Sequence, residues 1–448
     1  MTCKKYDVIV VGAGFSGLAA ALKLKKAGKE TIVLEALTRT GGRVKTDYTP
    51  DGTQIDLGGQ WIGPTQDEMY RLAKKYNVTI FPTADEGKYS VLYQGSIIED
   101  DPPEVAVLMN KLDELAETVN IEKPWLTPDA DAMDKMTFHT WLHQEAEIPD
   151  AAEYVARSLA GGLLAVDASE FSLLQMLVYI KSGNGTDLLN GIDGGAQQDR
   201  IVGGLQYLNQ KMAEDFGPEN IYLNQPVRKI TYSDNCAEII TSTETFYAST
   251  VIISIPAAAM DIIEFSPRLP VMKKKFFDHM MPPAALKCHF VYETPFWRAD
   301  GLSGNGFRNS GYVFETYDNS TSSGKGVLTI FSYGEEADEL RRKSKKQRQK
   351  LLVDDLKELY GSKVKNYEEY IEYDWSRMPY TNGCFSSHFS VGGWIGYGME
   401  QNQSVGPLYW AGSEYAKSWN GYCDGAVRSG EAVAKEVLKQ LNQSQEVT

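Results

Sequence analysis

The chain is poor in cysteine and histidine, with five of each in 448 residues. Cys3, Cys236, Cys288, Cys384 and Cys423 are scattered, odd in number and without CxxC spacing. No disulfide framework or zinc site follows from this pattern, and it fits a reducing, cytoplasmic setting. The histidines His139, His143, His279, His289 and His388 are read as lacking metal-ligand spacing, and no Ser-His-Asp set accompanies them, so no metal is expected. No apolar run approaches the roughly 18 residues of a membrane helix. Lys4-Lys5 before an apolar stretch imitates a signal peptide, but a glycine turn interrupts that stretch. Positive charge is also in deficit: 45 Lys plus Arg against 60 Asp plus Glu give a net charge of −15. Nucleic acid is thereby disfavoured as a partner, while an acidic surface concentrates cationic ligands. Internal repeats and low-complexity blocks are absent.

What is present begins at the N-terminus. The chain is 42% hydrophobic, and its length suits two large domains or a nested pair. Val8-Ile9-Val10-Val11 reads as a strand, Gly12-Ala13-Gly14-Phe15-Ser16-Gly17 as a tight turn, Leu18 to Leu24 as a helix, and Thr31 to Leu34 as a second strand ending on Glu35-Ala36. This is a βαβ dinucleotide-binding unit, which limits the chemistry to a bound redox cofactor, FAD or NAD(P). Gly12 permits the turn, Gly14 lets backbone approach a pyrophosphate, and Gly17 lets the helix pack close to the sheet. Free N–H groups at the helix start, around Ser16, carry roughly half a positive charge and suit phosphate. Glu35 is placed to accept from ribose hydroxyls, and an acid there argues against the extra phosphate of NADP.

Two further glycine loops follow, Arg39 to Arg43 and Asp56 to Gly63, the latter holding Gly59, Gln60 and Trp61. Residues 103–181 read mostly as helices, with a stripe of Val107, Leu108, Leu112, Leu115 and Val119. Strands return near Ile221, continue through Val227 to Ile230 and Val251 to Ile255, and reappear at Cys288 to Tyr292 and Gly326 to Tyr333. Glu335 to Lys350 is densely charged and reads as one solvated helix, and Glu431 to Thr448 as a polar amphipathic helix with a frayed tail. Strands of the cofactor domain bracket other material, so that domain is built from separated pieces.

Several segments taken in order carry a more specific signal. Arg39-Thr-Gly-Gly-Arg43 follows the acidic strand end, and Gly203-Gly204 follows Ala196-Gln197-Gln198. Lys287-Cys288 precedes Pro295-Phe296-Trp297, and Trp375 precedes Gly383-Cys384-Phe385. Trp410-Ala411-Gly412-Ser413-Glu414 is followed by Trp419-Asn420-Gly421-Tyr422 and Gly425-Ala426-Val427. Over nearly its whole length the chain resembles the flavin-dependent monoamine oxidases. The resemblance implies an α/β and α+β chain, with a Rossmann-like FAD-binding domain assembled from residues 1–85, 200–280 and 400–448. A mixed sheet-plus-helices substrate domain, residues 86–199 and 281–399, is inserted into it.

The same resemblance assigns residues. Gly412, Ser413 and Glu414 match positions along the ribityl and pyrophosphate part of FAD, Arg43 a position beside the phosphates and ring edge, and Val227 the backbone contact to adenine. Gly59, Gln60, Trp61 and Trp375 join the cofactor set. The helix near Gly425, with Ala426 and Val427, would aim its positive end at the flavin pyrimidine ring. Tyr422 and Phe385 match the aromatic walls that flank the amine, Phe385 standing where a tyrosine is usual. Lys287 matches the lysine that holds a water near flavin N5. Gln197 matches a polar position near substrate and Leu164 an apolar wall. Cys384 matches the site of a thioether to the flavin, which some members form and others lack.

The implied activity is oxidative deamination of a primary or simple secondary amine with an apolar or aromatic body. The products would be an imine, then an aldehyde and ammonia, with O2 reduced to H2O2. L-amino-acid oxidation, polyamine oxidation and a non-catalytic flavin-binding module are the alternatives. Expected partners are the small amine and O2, with no nucleic acid or membrane, and a homodimer is admissible.

Overall fold

The computed structural model describes residues 5–99, 101–234 and 236–446, so Cys3, Lys4 and the last residues of the tail lie outside it. The β-branched run Val8–Val11 becomes the inner part of a strand, Lys5–Val11, covered on both faces. It pairs in parallel with Thr31–Leu34 on one side and with Thr245–Ile253 on the other. Helix Phe15–Lys26 makes the crossover, its alanine-rich face buried. The strand Thr245–Ile253 has two different neighbours on its far side. Its beginning pairs antiparallel with Cys236–Thr241, and its end pairs in parallel with Leu408–Trp410. With Ile221–Tyr222, Val227–Ser233 and Glu264–Ser266 these strands form an eight-stranded sheet.

The parallel strands Lys5–Val11, Thr31–Leu34, Thr245–Ile253 and Leu408–Trp410 end at one edge of this sheet. Gly12, Glu35, Ser254 and Gly412 therefore meet there, although they are remote in sequence. Ligands of open α/β sheets bind at such an edge, where strand ends diverge. The C-terminal helix Cys423–Glu446 packs along Phe15–Lys26, and its start faces the same edge.

A second, seven-stranded sheet runs in the order Glu369–Asp374, Ala285–Tyr292, Gly326–Tyr333, Glu315–Asp318, Leu302–Arg308, Lys88–Tyr93, Ser96–Ile98. All its pairings are antiparallel except Leu302–Arg308 with Lys88–Tyr93. Both central strands, Ala285–Tyr292 and Gly326–Tyr333, are buried at every position. A helical layer from Pro103 to Asn190 covers one side, and it includes a nine-residue π-helix, Ala156–Leu164. Such wide turns concentrate at functional sites. Gly161 and Gly162 lie in this one, at the positions where it crosses Phe314 and Glu315.

Two expectations are corrected here. Val107 is exposed: the buried stripe of helix Pro103–Glu117 is Val105, Leu108, Leu112 and Ala116, a cleaner helical spacing that leaves Val107 on the water side. The charged run from Glu335 is two helices, Gly334–Arg341 and Lys345–Tyr360. Ser344 and Gln347 form a capping box that restarts the chain as a new helix.

Candidate active site

Residues of both sheets line one long cleft. One end is a glycine-lined cradle. Gly12 has φ +107°, and a Cβ there would stand 2.9 Å from Ser254 Oγ. A Cβ on Gly17 would stand 2.0 Å from Gly12 O, so that glycine serves the fit of helix to turn and does not line the cleft. Gly14 caps the helix and leaves the approach to its N–H groups open. Glu35 Oε2 accepts from Ala13 N at 2.7 Å, and its Oε1 accepts from Leu37 N at 2.9 Å. Burial pushes the Glu35 carboxyl upward in pKa, and the backbone donors of Ala13 and Leu37 partly offset it. Ala36, Gln225, Pro226 and Val227 continue this wall.

The next section is held by Arg43. Its Nη1 donates to Glu414 Oε1 at 2.6 Å and to Phe385 O at 2.6 Å. Its Nη2 donates to Glu414 Oε2 at 3.0 Å and to Ser413 Oγ at 3.1 Å. Burial alone would weaken the Arg43 cation, but the Glu414 carboxylate overrides that and raises its pKa. Burial likewise works against ionised Glu414, and Arg43 wins by holding it below the usual carboxylate range. Glu414 itself stands behind Arg43, away from the cleft. Val427 also turns away, into the core beneath the C-terminal helix, whereas Cys423 and Ala426 face the cleft.

Lys287 projects from the buried strand Ala285–Tyr292. Its Nζ donates to Gly58 O at 2.9 Å and to the Gln60 side chain, beside the rings of Trp61 and Phe331. Burial lowers its pKa to about 7, with Arg200 pushing the same way and Asp56 opposing. Trp375 donates from Nε1 to Leu57 O at 2.8 Å and pins the other side of the Gly58-Gly59 loop.

The far end is an aromatic chamber. Tyr422 packs against Trp419 and Tyr179, and Phe385 against Tyr333 and Phe331. Gln197 lines it, donating from Nε2 to Leu189 O. Leu164 does not line it. The π-helix turns Leu163 and Gly162 to the chamber, and Leu164 enters the core just before the left-handed Ala165.

Glu315 went unnoticed in the sequence. Its carboxylate lies among Tyr317, Phe331 and Tyr333, and accepts from Tyr333 Oη at 3.0 Å. Burial raises its pKa to about 7, despite the tyrosine hydroxyls and Arg157. A Cβ on Gly162 would come within 2.5 Å of Glu315 Oε1, so the glycine makes room for the acid.

Three buried polar atoms on residues lining this cleft lack a partner: Ser16 Oγ at the glycine turn, Trp61 Nε1 beside Lys287, and Gln197 Oε1 in the chamber. Buried polar atoms are normally paired, and a polar ligand seated in the cleft would give these three partners. Cradle, arginine and aromatic chamber in series fit a flavin dinucleotide with a small molecule beyond it.

Comparisons with known proteins agree. A family model described as flavin containing amine oxidoreductase matches residues 15–438. A putrescine oxidase of Kocuria rosea is 33% identical, aligned over 98% of this chain and 96% of that one. A probable flavin-containing monoamine oxidase A of Dictyostelium discoideum is 31% identical over 97% and 98%. Among solved structures, a wild-type putrescine oxidase bound to putrescine superposes with a TM-score of 0.94 at 32% identity, covering 97% of this chain and 99% of that one.

Glu414→Ala strips the Arg43 cation of its carboxylate, and removing one partner of a buried pair costs about 3–5 kcal/mol. Urea denaturation of the holoprotein should show that loss, and Arg43→Met combined with Glu414→Leu should lose less than Glu414→Ala alone. The pair's contribution holds above the ordinary carboxylate range and disappears as pH falls through the depressed Glu414 value.

Proposed function

The chain belongs to the flavin-containing amine oxidoreductases, and from that premise we propose that it oxidises one terminal amine of a short aliphatic diamine. The product would be an imine that hydrolyses to an amino-aldehyde and ammonia, with O2 reduced to H2O2. FAD supplies the hydride acceptor. The observation that carries the substrate class is Glu315, a buried carboxyl facing a chamber walled mainly by aromatic rings.

A monoamine with an apolar or aromatic body would leave that carboxyl with tyrosine hydroxyls as its close partners. A second ammonium at the far end of a diamine gives it a counter-ion and draws its pKa down from about 7. Tyr422 and Phe385 then flank the reacting amine, their faces holding the cation as it arrives and the neutral nitrogen afterwards. Against an α-amino acid stands the charge of the walls. Arg43 and Lys287 are the cations lining the cleft among the described residues, and both are engaged, with Glu414 and with the Gly58-Gln60 loop. A substrate carboxylate would meet Glu315 instead of a free guanidinium.

Lys287, with a pKa near 7, can hold a water through its ammonium and present positive charge where O2 is reduced. Cys384 is buried on the cleft wall, with its thiol donating to Pro283 O at 3.7 Å, and Arg43 opposes the upward push that burial gives its pKa. In this reading Cys384 carries a thioether to the cofactor.

Peroxide release from a series of diamines and matched monoamines tests the substrate class. Glu315→Gln should cut kcat/KM for the best diamine by about 10–100-fold, the scale of a charged hydrogen bond, and leave the monoamines little changed. An unchanged diamine-to-monoamine ratio would overturn the reading. In stopped-flow absorbance, the O2-dependent step should slow as pH rises through about 7, as the Lys287 ammonium is lost, and Lys287→Met should be slow and flat with pH. Acid precipitation should leave yellow colour in the protein pellet, and Cys384→Ala should move it to the supernatant.

A further inference from the structure

Outside the cleft lining, His139 and His143 stand one turn apart on helix Phe138–Glu145, and Glu153 reaches them from helix Pro149–Val155. The histidines were expected to lack ligand spacing. That expectation fails for this pair, because an i, i+4 separation puts both rings on one helix face, and the third group comes from the next helix.

Three features distinguish the cluster from an ordinary surface ion pair. First, both imidazoles turn the same nitrogen toward the same oxygen. His143 Nε2 lies 2.9 Å and His139 Nε2 3.6 Å from Glu153 Oε1, and all three atoms lie within 4.8 Å of one another. Ligand atoms about 2.0–2.2 Å from a tetrahedral ion stand about 3.3 Å apart, close to this spacing. Second, the helix bearing the histidines is anchored. Thr137 Oγ1 accepts from Thr140 N, Phe138 N donates to Phe171 O, and His139 N donates to Ala168 O. Third, all three side chains are partly exposed, which leaves the outward position open to water.

We propose that His139, His143 and Glu153 bind a late first-row divalent cation, with Zn²⁺ the best match to two imidazoles and a carboxylate. Hard Ca²⁺ and Mg²⁺ prefer all-oxygen sets. The ion would staple the two helices across the Ala146–Ile148 turn. The second of them continues directly into the π-helix Ala156–Leu164, whose Gly162 and Leu163 line the chamber.

The test uses tag-free, chelator-treated holoenzyme titrated with ZnCl2 by calorimetry and with CoCl2 by visible absorption. One equivalent of Zn²⁺ should bind per chain, and Co²⁺ should show tetrahedral d–d bands. His139→Ala and His143→Ala should each weaken binding by at least the ~10–100-fold that loss of an outer-shell partner costs, and Glu153→Gln should weaken it too. Flavin content and amine turnover in metal-free buffer should stay unchanged in all three, which shows that they fold. Absence of stoichiometric binding, or equal binding by wild type and a His139→Ala/His143→Ala double variant, would overturn the proposal.

Discussion

The Arg43–Glu414 pair is the constraint on which the rest of the site depends. It joins the loop after the second parallel strand, the Cys384-Phe385 segment and the Gly412–Glu414 motif, three stretches with no backbone pairing to one another. The Cys384-Phe385 segment is a loop, whose backbone polar groups must be satisfied from elsewhere. One guanidinium takes the Phe385 carbonyl and ties it to the side chains of Ser413 and Glu414. The fork geometry matters: a lysine would supply the charge but could not span the carboxylate and the carbonyl together. Burial makes the arrangement costly to break without making it a large net source of stability, so its value lies in geometry.

On that frame the cleft carries two ionisable groups whose environments move them toward one another. Burial brings Lys287 down and Glu315 up, each to about 7. One force, desolvation, acts in opposite directions because it disfavours whichever form is charged. The result is a chamber whose charge state responds to what occupies it. A cation beside Glu315 restores the carboxylate, and negative charge developing beside Lys287 restores the ammonium. An exposed lysine or glutamate, ionised throughout the neutral range, would not respond in this way.

How much of this was legible in the sequence follows from how local each feature is. The strand, turn and helix from Lys5 to Lys26 are set by short-range rules, so their glycines and Glu35 could be read directly. Lys287, Tyr422 and Arg43 came from resemblance, since nothing in their immediate neighbours distinguishes them from surface residues. Glu315 was missed because its burial is created at a distance. It sits on a four-residue strand in a polar stretch, and the space for it is opened by Gly162 on a π-helix that no helical periodicity reveals. The same wide turn explains why Leu163 and not Leu164 reaches the chamber. Regular 3.6-residue phasing fails where the helix is not α.

The strained loop that carries Phe385 shows how these parts lock together. Tyr380, Asn382, Gly383 and Phe385 all have positive φ, and at Phe385 it is 42°, a conformation costly for a bulky residue. Such a conformation persists only when the surroundings over-determine it. Here Asn382 Nδ2 donates to Ala258 O, Cys384 N donates to Pro283 O, and Arg43 donates to Phe385 O. The carbonyl of the strained residue is therefore fixed by the guanidinium that also holds Glu414, while its ring is fixed edge-on by Tyr333, the tyrosine that donates to Glu315. The strained backbone at Phe385 thus joins the Arg43–Glu414 pair to the ring packed beside Glu315.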